Sequence, residues 1–347
     1  MAHVQLEEVD DKNMASESAH GPITYAILKS LAVLLRTLLS SYRPGTFRRI
    51  SRHDGRSRHE VPSRDQDRSI IVHLYHPPEM KQTASNPLPT SKLKPSPVLI
   101  NWHGSGFVIP AFAVDTRFCD QVSREAGIVV IDADYRKAPE HPWPAAIHDV
   151  EDVVHWVLSQ PDKFDASRIA VSGFSAGANL ALVAASSLDT SWPKPTKDKD
   201  KHAGSSDKFQ AVIAFYPPSD LAMSPKLKKA PKPIFPIPSF LRWLFDSCYI
   251  PPKADKKDPR ISPSYADEGS FPDNVLIISC EGDTLCLEAE ALAGKLMKRG
   301  SRHVVQRRME GVPHAWDKAA QDGTPGGQRR DEAYTLAVEL LRKALRL

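Results

Sequence analysis

Residues 168–179 have the sequence RIAVSGFSAGAN, and this stretch decides the expected fold. Residues 169–171 are an apolar run typical of a buried central strand, residues 173–177 match the pattern G-x-S-x-G, and residues 178–185 have the small, apolar composition of a buried helix. A serine at such a strand–turn–helix junction exposes its Oγ above the edge of the sheet, and the flanking glycines leave room for the neighbouring backbone. Ser175 is therefore the candidate nucleophile.

The pattern is too short to decide a function, because an ordinary turn between a strand and a helix can match it by chance. The chain has 347 residues, of which 41% are hydrophobic and 25% are charged, so it can form a substantial globular core. Its net charge of +4 comes from scattered basic residues. This distribution gives no sign of a nucleic-acid-binding surface.

The N-terminal residues and the cysteines indicate the compartment. Residues 1–20 are acidic and polar and lack the order of a signal peptide, so we expect residues 1–22 to be disordered and the protein to be cytoplasmic. The cysteines have no CxxC spacing, which predicts free thiols and no zinc site. They are Cys119, Cys248, Cys280 and Cys286.

Residues 23–39 are the most hydrophobic run, interrupted by Lys29 and Arg36. A membrane span needs about 20 residues with few charges. We therefore favour an amphipathic cap helix over residues 23–45, packed on the body of the protein, and keep membrane association through residues 23–39 as the alternative. The basic residues 43–68 are interpreted as a solvated loop leading into an edge strand, in preference to an anion-binding patch.

Strands and helices alternate along most of the chain, which predicts parallel βαβ units. Residues 220–263 break this alternation: they are rich in proline yet carry large apolar side chains, which would either face a substrate or pack the segment on the body. We therefore expect a core of residues 46–217 and 264–347 with a cap insertion over 218–263. The predicted strands are 69–75, 97–102, 128–132, 211–215, 275–279 and 303–309, the further predicted helices are 114–126, 145–158, 287–298 and 332–345, and residues 194–208 are an expected polar, mobile insertion.

A glycine-containing loop follows the strand predicted over residues 97–102. His103, Gly104, Ser105 and Gly106 come directly after it, and glycines there let backbone N–H groups point into open space, as stabilisation of an oxyanion requires. A dinucleotide-binding loop would need a further glycine at position 109, which is Ile109. The sequence therefore excludes a nicotinamide cofactor at this loop.

Four separate pieces of the chain together resemble the hormone-sensitive-lipase-like branch of the α/β-hydrolases, a family of carboxylesterases and lipases. They are HGSG at 103–106 against the family's HGGG, DYRKAPE at 134–140, GFSAG at 173–177 against GDSAG, and a late aspartate and histidine in GDTL and HAW. The resemblance covers about residues 95–320. It implies an α/β class protein with the α/β-hydrolase fold: a mostly parallel central sheet flanked by helices, with a cap built from the N-terminal helix and an insertion after the sixth strand.

The resemblance also implies the roles of individual residues. Ser175 is the nucleophile, His314 the general base, and Asp283 the acid that orients the imidazole, in the chain order found in α/β-hydrolases. Asp220 and Glu288 are rival acids, and Asp283 is favoured because its loop follows the strand that precedes the histidine-bearing loop.

The same resemblance implies an oxyanion hole made by the backbone N–H groups of Ser105, Gly106 and Ala176, on a loop that includes His103 and Gly104. It places Glu140 in a supporting position beneath that loop, with a surface acid as the alternative.

Two departures from the family pattern concern specificity. Phe174 replaces the usual aspartate beside the nucleophile and is expected to change local packing without touching the triad. Ser105 replaces the middle glycine of HGGG; its backbone can still donate, but its Cβ limits the bending of the loop and is expected to narrow the acyl pocket.

The predicted function is a serine carboxylesterase that hydrolyses a small or medium carboxylic ester through an acyl-enzyme, with no metal or cofactor. The alternatives are a tailoring hydrolase of secondary metabolites, acting as a deacetylase, lactonase or amidase on the same triad, and a non-catalytic receptor for a small ligand. The expected partner is a small-molecule ester; nucleic acid and an integral membrane anchor are not expected, and a homodimer is compatible with the sequence.

Overall fold

An eight-stranded sheet with helices on both faces forms the framework of the computed structural model. The structure describes residues 20–42, 56–78, 94–188, 209–298, 300 and 302–347. Most of the expected disordered N-terminus and the whole polar insertion at 194–208 lie outside these residues.

The helices and strands of the described residues follow the predicted alternation. The strands are β1 Arg56–Pro62, β2 Ser69–Tyr75, β3 Ser96–Trp102, β4 Val129–Ala133, β5 Phe164–Phe174, β6 Ala211–Phe215, β7 Asn274–Cys280 and β8 His303–Met309. The α-helices are α1 Pro22–Tyr42, α2 Thr116–Ala126, α3 Ala145–Leu158, α4 Ala176–Ser187, α5 Ser239–Tyr249, α6 Cys286–Met297 and α7 Pro325–Ala344.

The strand order is β1-β2-β4-β3-β5-β6-β7-β8. β1 and β2 pair antiparallel, β2 and β4 pair antiparallel, and every later pair is parallel. The expectation of a mostly parallel sheet is thus confirmed. Because the carboxyl ends of parallel strands lie at one edge of the sheet, the loops after β3, β5, β7 and β8 meet there.

The alternation of side chains along β3 divides the core into two layers. Val98, Ile100 and Trp102 contribute to the cluster that also contains buried residues of α3, α4 and α6, whereas Leu99 contributes to the cluster on the other face, beneath α2 and α7. The central strands are buried on both faces, which explains their continuous apolar sequences.

Residues 43–55 lie outside the described residues, and over residues 56–68 the prediction of a solvated loop was wrong in two respects. β1 occupies the edge of the sheet outside β2, although its sequence RSRHEVP has mostly polar side chains, because an edge strand needs only its backbone to pair. Arg64 and Arg68 are also bound rather than solvated: Arg64 contacts Asp152 at 2.8 Å and Arg68 contacts Asp149 at 2.7 Å, both on α3.

The last helix begins seven residues earlier than predicted. Pro325 occupies its first turn, and the Oγ1 of Thr324 accepts a hydrogen bond from the N–H of Gly327 at 3.1 Å. A threonine cap followed by proline is a helix start signal that outweighs the glycines at 326 and 327.

Residues 220–263 contain the helix α5, which was not predicted there. α5 packs against α1, and both contribute buried side chains to the core, among them Leu28, Ala32 and Leu244. α1 is, among the described residues, the one helix long and apolar enough by length and composition to cross a membrane. The division into core and cap stays a prediction.

A buried ion pair joins the segment after β6 to α6. Lys228 Nζ lies 2.7 Å from Glu288 Oε2, and Glu288 Oε1 accepts a hydrogen bond from the N–H of Ser219 at 2.9 Å. Burial raises the pKa of Glu288 to about 7, although Lys228 and the two backbone N–H donors of Ser219 and Asp220 oppose this shift.

This raised pKa predicts a stability that falls with pH. Between the ordinary value of 4.5 and about 7 the folded protein retains a proton on Glu288 that the unfolded chain has lost, so unfolding becomes easier as pH rises through this window. The free energy of unfolding, measured relative to Glu288→Gln by urea titration at several pH values, should fall by on the order of 3 kcal/mol from pH 4.5 to 7. Glu339→Gln, at an exposed position on α7, serves as the control. The prediction would be contradicted if the difference in free energy of unfolding between the wild type and Glu288→Gln stayed constant with pH.

Candidate active site

The turn at Ser175 connects β5 to α4 with almost no space around it. A Cβ on Gly173 would lie 2.2 Å from the carbonyl oxygen of Gly177, and a Cβ on Gly177 would lie 1.9 Å from the carbonyl oxygen of Trp102. Ser175 has φ 50° and ψ −118°, a conformation that costs of order 1–3 kcal/mol for a residue with a side chain. The two glycines therefore permit the close packing that forces Ser175 outward.

Ser175, His314 and Asp283 form a hydrogen-bonded row at the carboxyl edge of the sheet. His314 Nε2 lies 2.9 Å from Ser175 Oγ, and His314 Nδ1 lies 2.6 Å from Asp283 Oδ2. Asp283 is fully buried, and its other oxygen accepts the N–H of Leu285 at 3.1 Å. The structure thus brings together the three residues expected from the sequence.

Backbone hydrogen bonds between two loops hold Asp283 beside His314. The loop after β7 donates from the N–H of Glu281 to Met309 and from the N–H of Gly282 to Val312, at 2.9 and 3.0 Å. Because β7 and β8 are parallel neighbours, both loops leave the sheet at the same edge.

The loop His103–Gly106 lies directly against the turn at Ser175. A Cβ on Gly104 would be 3.0 Å from the carbonyl oxygen of Phe174 and 3.3 Å from the Cβ of Ser175. Gly106 has φ 56°, and a Cβ there would lie 2.7 Å from the ring of Phe245 on α5. Ala176 is the first residue of α4, so its N–H has no acceptor within the helix.

A buried polar network supports this loop from below. Tyr135 donates its hydroxyl to the carbonyl oxygen of His103 at 2.8 Å and lies 2.6 Å from Ser105 Oγ. Burial lowers the pKa of His103, and Lys137 lowers it further, whereas Asp134 and the carbonyl oxygen of Gly104 oppose this shift. Burial alone would raise the pKa of Asp134, but its bonds with His103 and Lys137 hold that pKa below the usual range.

The Ser105 hydroxyl therefore has a partner that sequence reasoning did not supply. It is turned onto Tyr135, in the D-Y-R stretch of the family motif, and gives the loop a side-chain tether that a glycine could not form. The expected narrowing of the acyl pocket stays a prediction.

Glu140 reaches the loop through an arginine of α1. Arg36 pairs with both carboxylate oxygens of Glu140, at 2.8 and 2.9 Å, and donates to the carbonyl oxygens of Val108 and Ala138, at 3.0 and 2.8 Å. The structure thus places Glu140 against α1, and Val108 lies two residues beyond Gly106. Arg36 interrupts the apolar run of α1 in the sequence, which was the available signal for this contact.

Phe174 packs in an aromatic cluster and lies under a buried ammonium group. Its ring stacks on Phe215 with centroids 4.3 Å apart, and Lys318 Nζ lies 3.3 Å from its centroid. Lys318 also pairs with Asp115 at 2.7 Å and with Asp317 at 2.8 Å, and both carboxylates are buried. Burial alone would lower the pKa of Lys318, but the two carboxylates outweigh it and raise that pKa.

The Lys318 cluster extends to the imidazole of His314. Asp317 accepts the hydroxyls of Tyr216 and Tyr334 at 2.6 and 2.8 Å, and the Tyr216 ring meets the His314 ring edge-on with centroids 4.8 Å apart. The sequence did not predict this cluster of Asp115, Asp317 and Lys318, since nothing in the spacing of Asp115 and Lys318 indicates that they are in contact.

A cavity of about 420 Å³ opens onto Ser175 and His314. Its wall is mostly apolar and is contributed by α1, by the loop after β3 and by the segment around α5. The lining includes Leu35, Leu39, Phe107, Ile109, Leu241 and Phe245.

The rival acids have other partners. Asp220 Oδ1 accepts the N–H groups of Ala222 and Met223, and Glu288 pairs with Lys228. The cysteines, Cys119, Cys248, Cys280 and Cys286, are buried free thiols. Among the described residues no group of three or more histidine, cysteine, aspartate or glutamate side chains could hold a metal ion.

A family model described as alpha/beta hydrolase fold, Abhydrolase_3, matches residues 99–318, which is more than half of the chain. The chain belongs to this α/β-hydrolase family. The matched residues run from within β3 to beyond β8 and include Ser175, Asp283 and His314.

Several proteins similar to this α/β-hydrolase in sequence or structure are esterases. Ethyl acetate hydrolase from Pseudomonas putida is 26% identical over 280 residues, which cover 80% of this chain and 79% of that protein. Carboxylesterase NlhH from Mycobacterium tuberculosis is 31% identical over 186 residues, covering 45% of this chain and 53% of its own length. The solved Pyrobaculum calidifontis esterase is 26% identical, covers 93% of this chain and 98% of its own, and superimposes with a TM-score of 0.69. The chain is a carboxylic ester hydrolase of the hormone-sensitive-lipase-like family.

The Lys318 pairing predicts a stability effect. Lys318→Met would leave the buried carboxylates of Asp115 and Asp317 without their cation, and breaking a buried pair in this way typically costs about 3–5 kcal/mol. Chemical denaturation should show this loss in the free energy of unfolding, whereas Lys343→Met on the exposed face of α7 should stay within about 0.5 kcal/mol of the wild type. A loss below about 1 kcal/mol for Lys318→Met would show that the cluster tolerates two uncompensated charges.

The packing of Gly106 predicts a loss of activity. Gly106→Ala would push the loop away from Phe245, and misplacing one oxyanion-hole donor typically lowers kcat about 10²–10³-fold. Gly127→Ala is the matched control, because Gly127 also has a positive φ, of 69°, but has open space around it. Both variants should lose some stability, and only Gly106→Ala should lose kcat on a short-chain p-nitrophenyl ester. Equal kcat in the two variants would contradict a role for this loop in catalysis.

Proposed function

We propose that this carboxylesterase hydrolyses small or medium carboxylic esters through an acyl-enzyme on Ser175. His314 is the general base, and Asp283 orients its imidazole. The observation that carries the proposal is the position of His314, whose two ring nitrogens lie within hydrogen-bonding distance of Ser175 and Asp283.

Acylation begins when Ser175 Oγ attacks the ester carbonyl carbon and His314 Nε2 accepts the hydroxyl proton. A serine hydroxyl is a weak nucleophile until a base takes its proton, and the Asp283 carboxylate stabilises the imidazolium that forms. The strained turn contributes by holding Oγ at the cavity surface.

The negative charge of the tetrahedral intermediate develops on the former carbonyl oxygen. The backbone N–H groups of Ser105, Gly106 and Ala176 are the proposed donors to it, and each such donor is typically worth about 2.7–4 kcal/mol at the transition state. Fixing these donors before reaction is the role we assign to Tyr135 below the loop and to Arg36 above it.

Collapse of the intermediate breaks the bond to the alcohol oxygen, which takes the proton from His314 and leaves. His314 then deprotonates a water molecule as it attacks the acyl carbonyl. Collapse of this second intermediate releases the acid and restores Ser175. All proton transfers pass through one imidazole.

The cap completes the proposed site. α1 and residues 218–263 are the segments that close the cavity over Ser175, through Leu35 and Leu39 on one side and Leu241 and Phe245 on the other. A mostly apolar cavity of about 420 Å³ suits an uncharged ester with short or medium apolar chains.

Substitution of the nucleophile tests the proposal. Ser175→Ala should abolish release of p-nitrophenol from short acyl esters, and it should also abolish labelling by a fluorophosphonate probe, with the labelled peptide of the wild type containing residues 173–177. Asp283→Asn should retain slow labelling and lose about 10⁴-fold in kcat, because the imidazole would lose its orienting carboxylate. Glu288→Gln removes the carboxylate of the rival acid and should leave kcat nearly unchanged. Undiminished turnover by Ser175→Ala would overturn the proposal.

A further inference from the structure

The outer surface of the cap carries a row of exposed apolar side chains on α1. Ile23, Ile27, Leu34 and Leu38 are between 53% and 77% exposed, and at 3.6 residues per turn they lie within about 60° of one another around the helix axis. The opposite side of α1 contributes Leu28 and Ala32 to the core. This row is therefore separate from the face that packs on the protein.

The second cap segment extends the apolar surface. Phe240 and Trp243 of α5 are about half exposed and lie against each other with ring centroids 5.7 Å apart, and Phe235 is 89% exposed. α5 contacts α1, and both segments line the same cavity. Phe235 belongs both to this exposed apolar surface and to the cavity lining. We define this cap surface by Ile23, Ile27, Leu34, Leu38, Phe235, Phe240 and Trp243.

The charged residues within the two segments that carry the cap surface are basic, although Asp220 and Asp246 border the second segment and acidic residues among positions 1–19 precede the first. Residues 22–42 contain Lys29 and Arg36 and no acidic residue, and residues 221–245 contain four lysines and an arginine and no acidic residue. With 42 acidic residues among 347, about five or six would be expected in segments of this total length. Lys226, Lys229 and Lys232 are exposed and form no ion pair with any described residue.

Exposed apolar side chains next to unpaired lysines complement an anionic lipid surface. Burial of the apolar groups among the lipid headgroups favours binding, and each lysine near negatively charged lipids adds to it. An oligomer formed through the same surface would instead bring the lysines of two copies together. The sign of the charge therefore favours lipid over a second copy of the chain.

The attachment of α1 decides how it would meet a bilayer. All three donor groups of Arg36 are bound to the body, to Val108, Ala138 and Glu140, and Leu28 and Ala32 are buried. A helix that crossed the bilayer would have to break these contacts and expose Glu140. In the observed arrangement α1 can lie in the plane of the interface with its exposed row facing the lipid.

We propose that the cap surface docks this enzyme onto membranes that contain anionic lipid, with the entrance of the cavity facing the bilayer. Esters that partition into the membrane would then enter the cavity directly from the lipid. This last statement about the substrate rests on the proposed function, whereas the docking itself does not.

Binding is tested on the full-length chain with Ser175→Ala, so that catalysis plays no part. Binding is measured by sedimentation with vesicles. The protein should bind vesicles of phosphatidylcholine containing 30% phosphatidylserine at least about tenfold more tightly than vesicles of phosphatidylcholine alone, and this difference in affinity should decrease as the salt concentration rises. Leu34→Ser/Leu38→Ser should lower the affinity for both vesicles, and Lys226→Glu/Lys229→Glu/Lys232→Glu should remove the preference for anionic vesicles.

Matched controls separate docking from folding and from net charge. Leu287→Ser/Met297→Ser removes two exposed apolar side chains of α6, and Lys163→Glu/Arg342→Glu/Lys343→Glu reverses three exposed charges outside the cap. Both controls should bind vesicles like the parent protein. When Ser175 is retained, the cap variants should hydrolyse a dissolved short ester at the wild-type rate, since none of the changed residues lines the cavity.

Three outcomes would overturn the docking proposal. The first is vesicle binding that does not depend on lipid charge, and the second is vesicle binding that the cap variants leave unchanged. The third is a protein that does not bind vesicles and instead forms a stable dimer in sedimentation equilibrium, which Leu34→Ser/Leu38→Ser dissociates. Failure of the proposed function would appear separately, as loss of the Ser175 dependence of ester hydrolysis in solution.

Discussion

The active site depends on one close approach, that of the first turn of α4 to the end of β3. The Cα of Gly177 lies so near the carbonyl oxygen of Trp102 that no side chain fits between them, and Gly173 meets the same limit against the backbone of Gly177. This contact fixes the direction in which β5 turns, and hence the position of Ser175 Oγ. It also brings the loop after β3 against Ser175. The proposed oxyanion donors and the proposed nucleophile are therefore held in position by the same backbone contact. A looser turn would relieve the strain at Ser175 and separate the two halves of the site.

Two buried carboxylate systems flank this turn and have different tasks. Asp283 accepts a hydrogen bond from the imidazole of His314, which suits its proposed task of stabilising a transient positive charge. Asp115 and Asp317 instead hold the permanent charge of Lys318 over the ring of Phe174. A phenylalanine beside the nucleophile is thus compatible with a cation behind it, because the face of an aromatic ring attracts an ammonium group and the paired carboxylates compensate the cost of burial.

The sequence predicted the fold, and it also predicted three residues that the structure brings together, because each signal was local. The apolar strands, the glycines around Ser175 and the positions of Asp283 and His314 after strands all follow from short-range patterns. The failures arose where tertiary contacts decide. β1 has a polar sequence and exists because β2 offers it a backbone partner. Arg64 and Arg68 lie in a basic stretch typical of a solvated loop, and only the approach of α3 supplies their carboxylates. Lys318 and Asp115 are far apart in sequence, and no sequence pattern predicts their contact.

Arg36 joins α1 to the loop after β3, so these two segments are mechanically connected. Its guanidinium binds the carbonyl oxygen of Val108 in the loop, the carbonyl oxygen of Ala138 and both oxygens of Glu140, while the helix that carries it provides Leu35 and Leu39 to the cavity wall. Gly106 meets Phe245 of the other cap segment from the same side. Displacing α1 to admit a large substrate would therefore free the carbonyl of Val108 and loosen the loop that we propose donates to the oxyanion. Under that proposal, substrates that enter without displacing α1 leave the loop intact, which favours esters narrow enough to pass between α1 and residues 218–263.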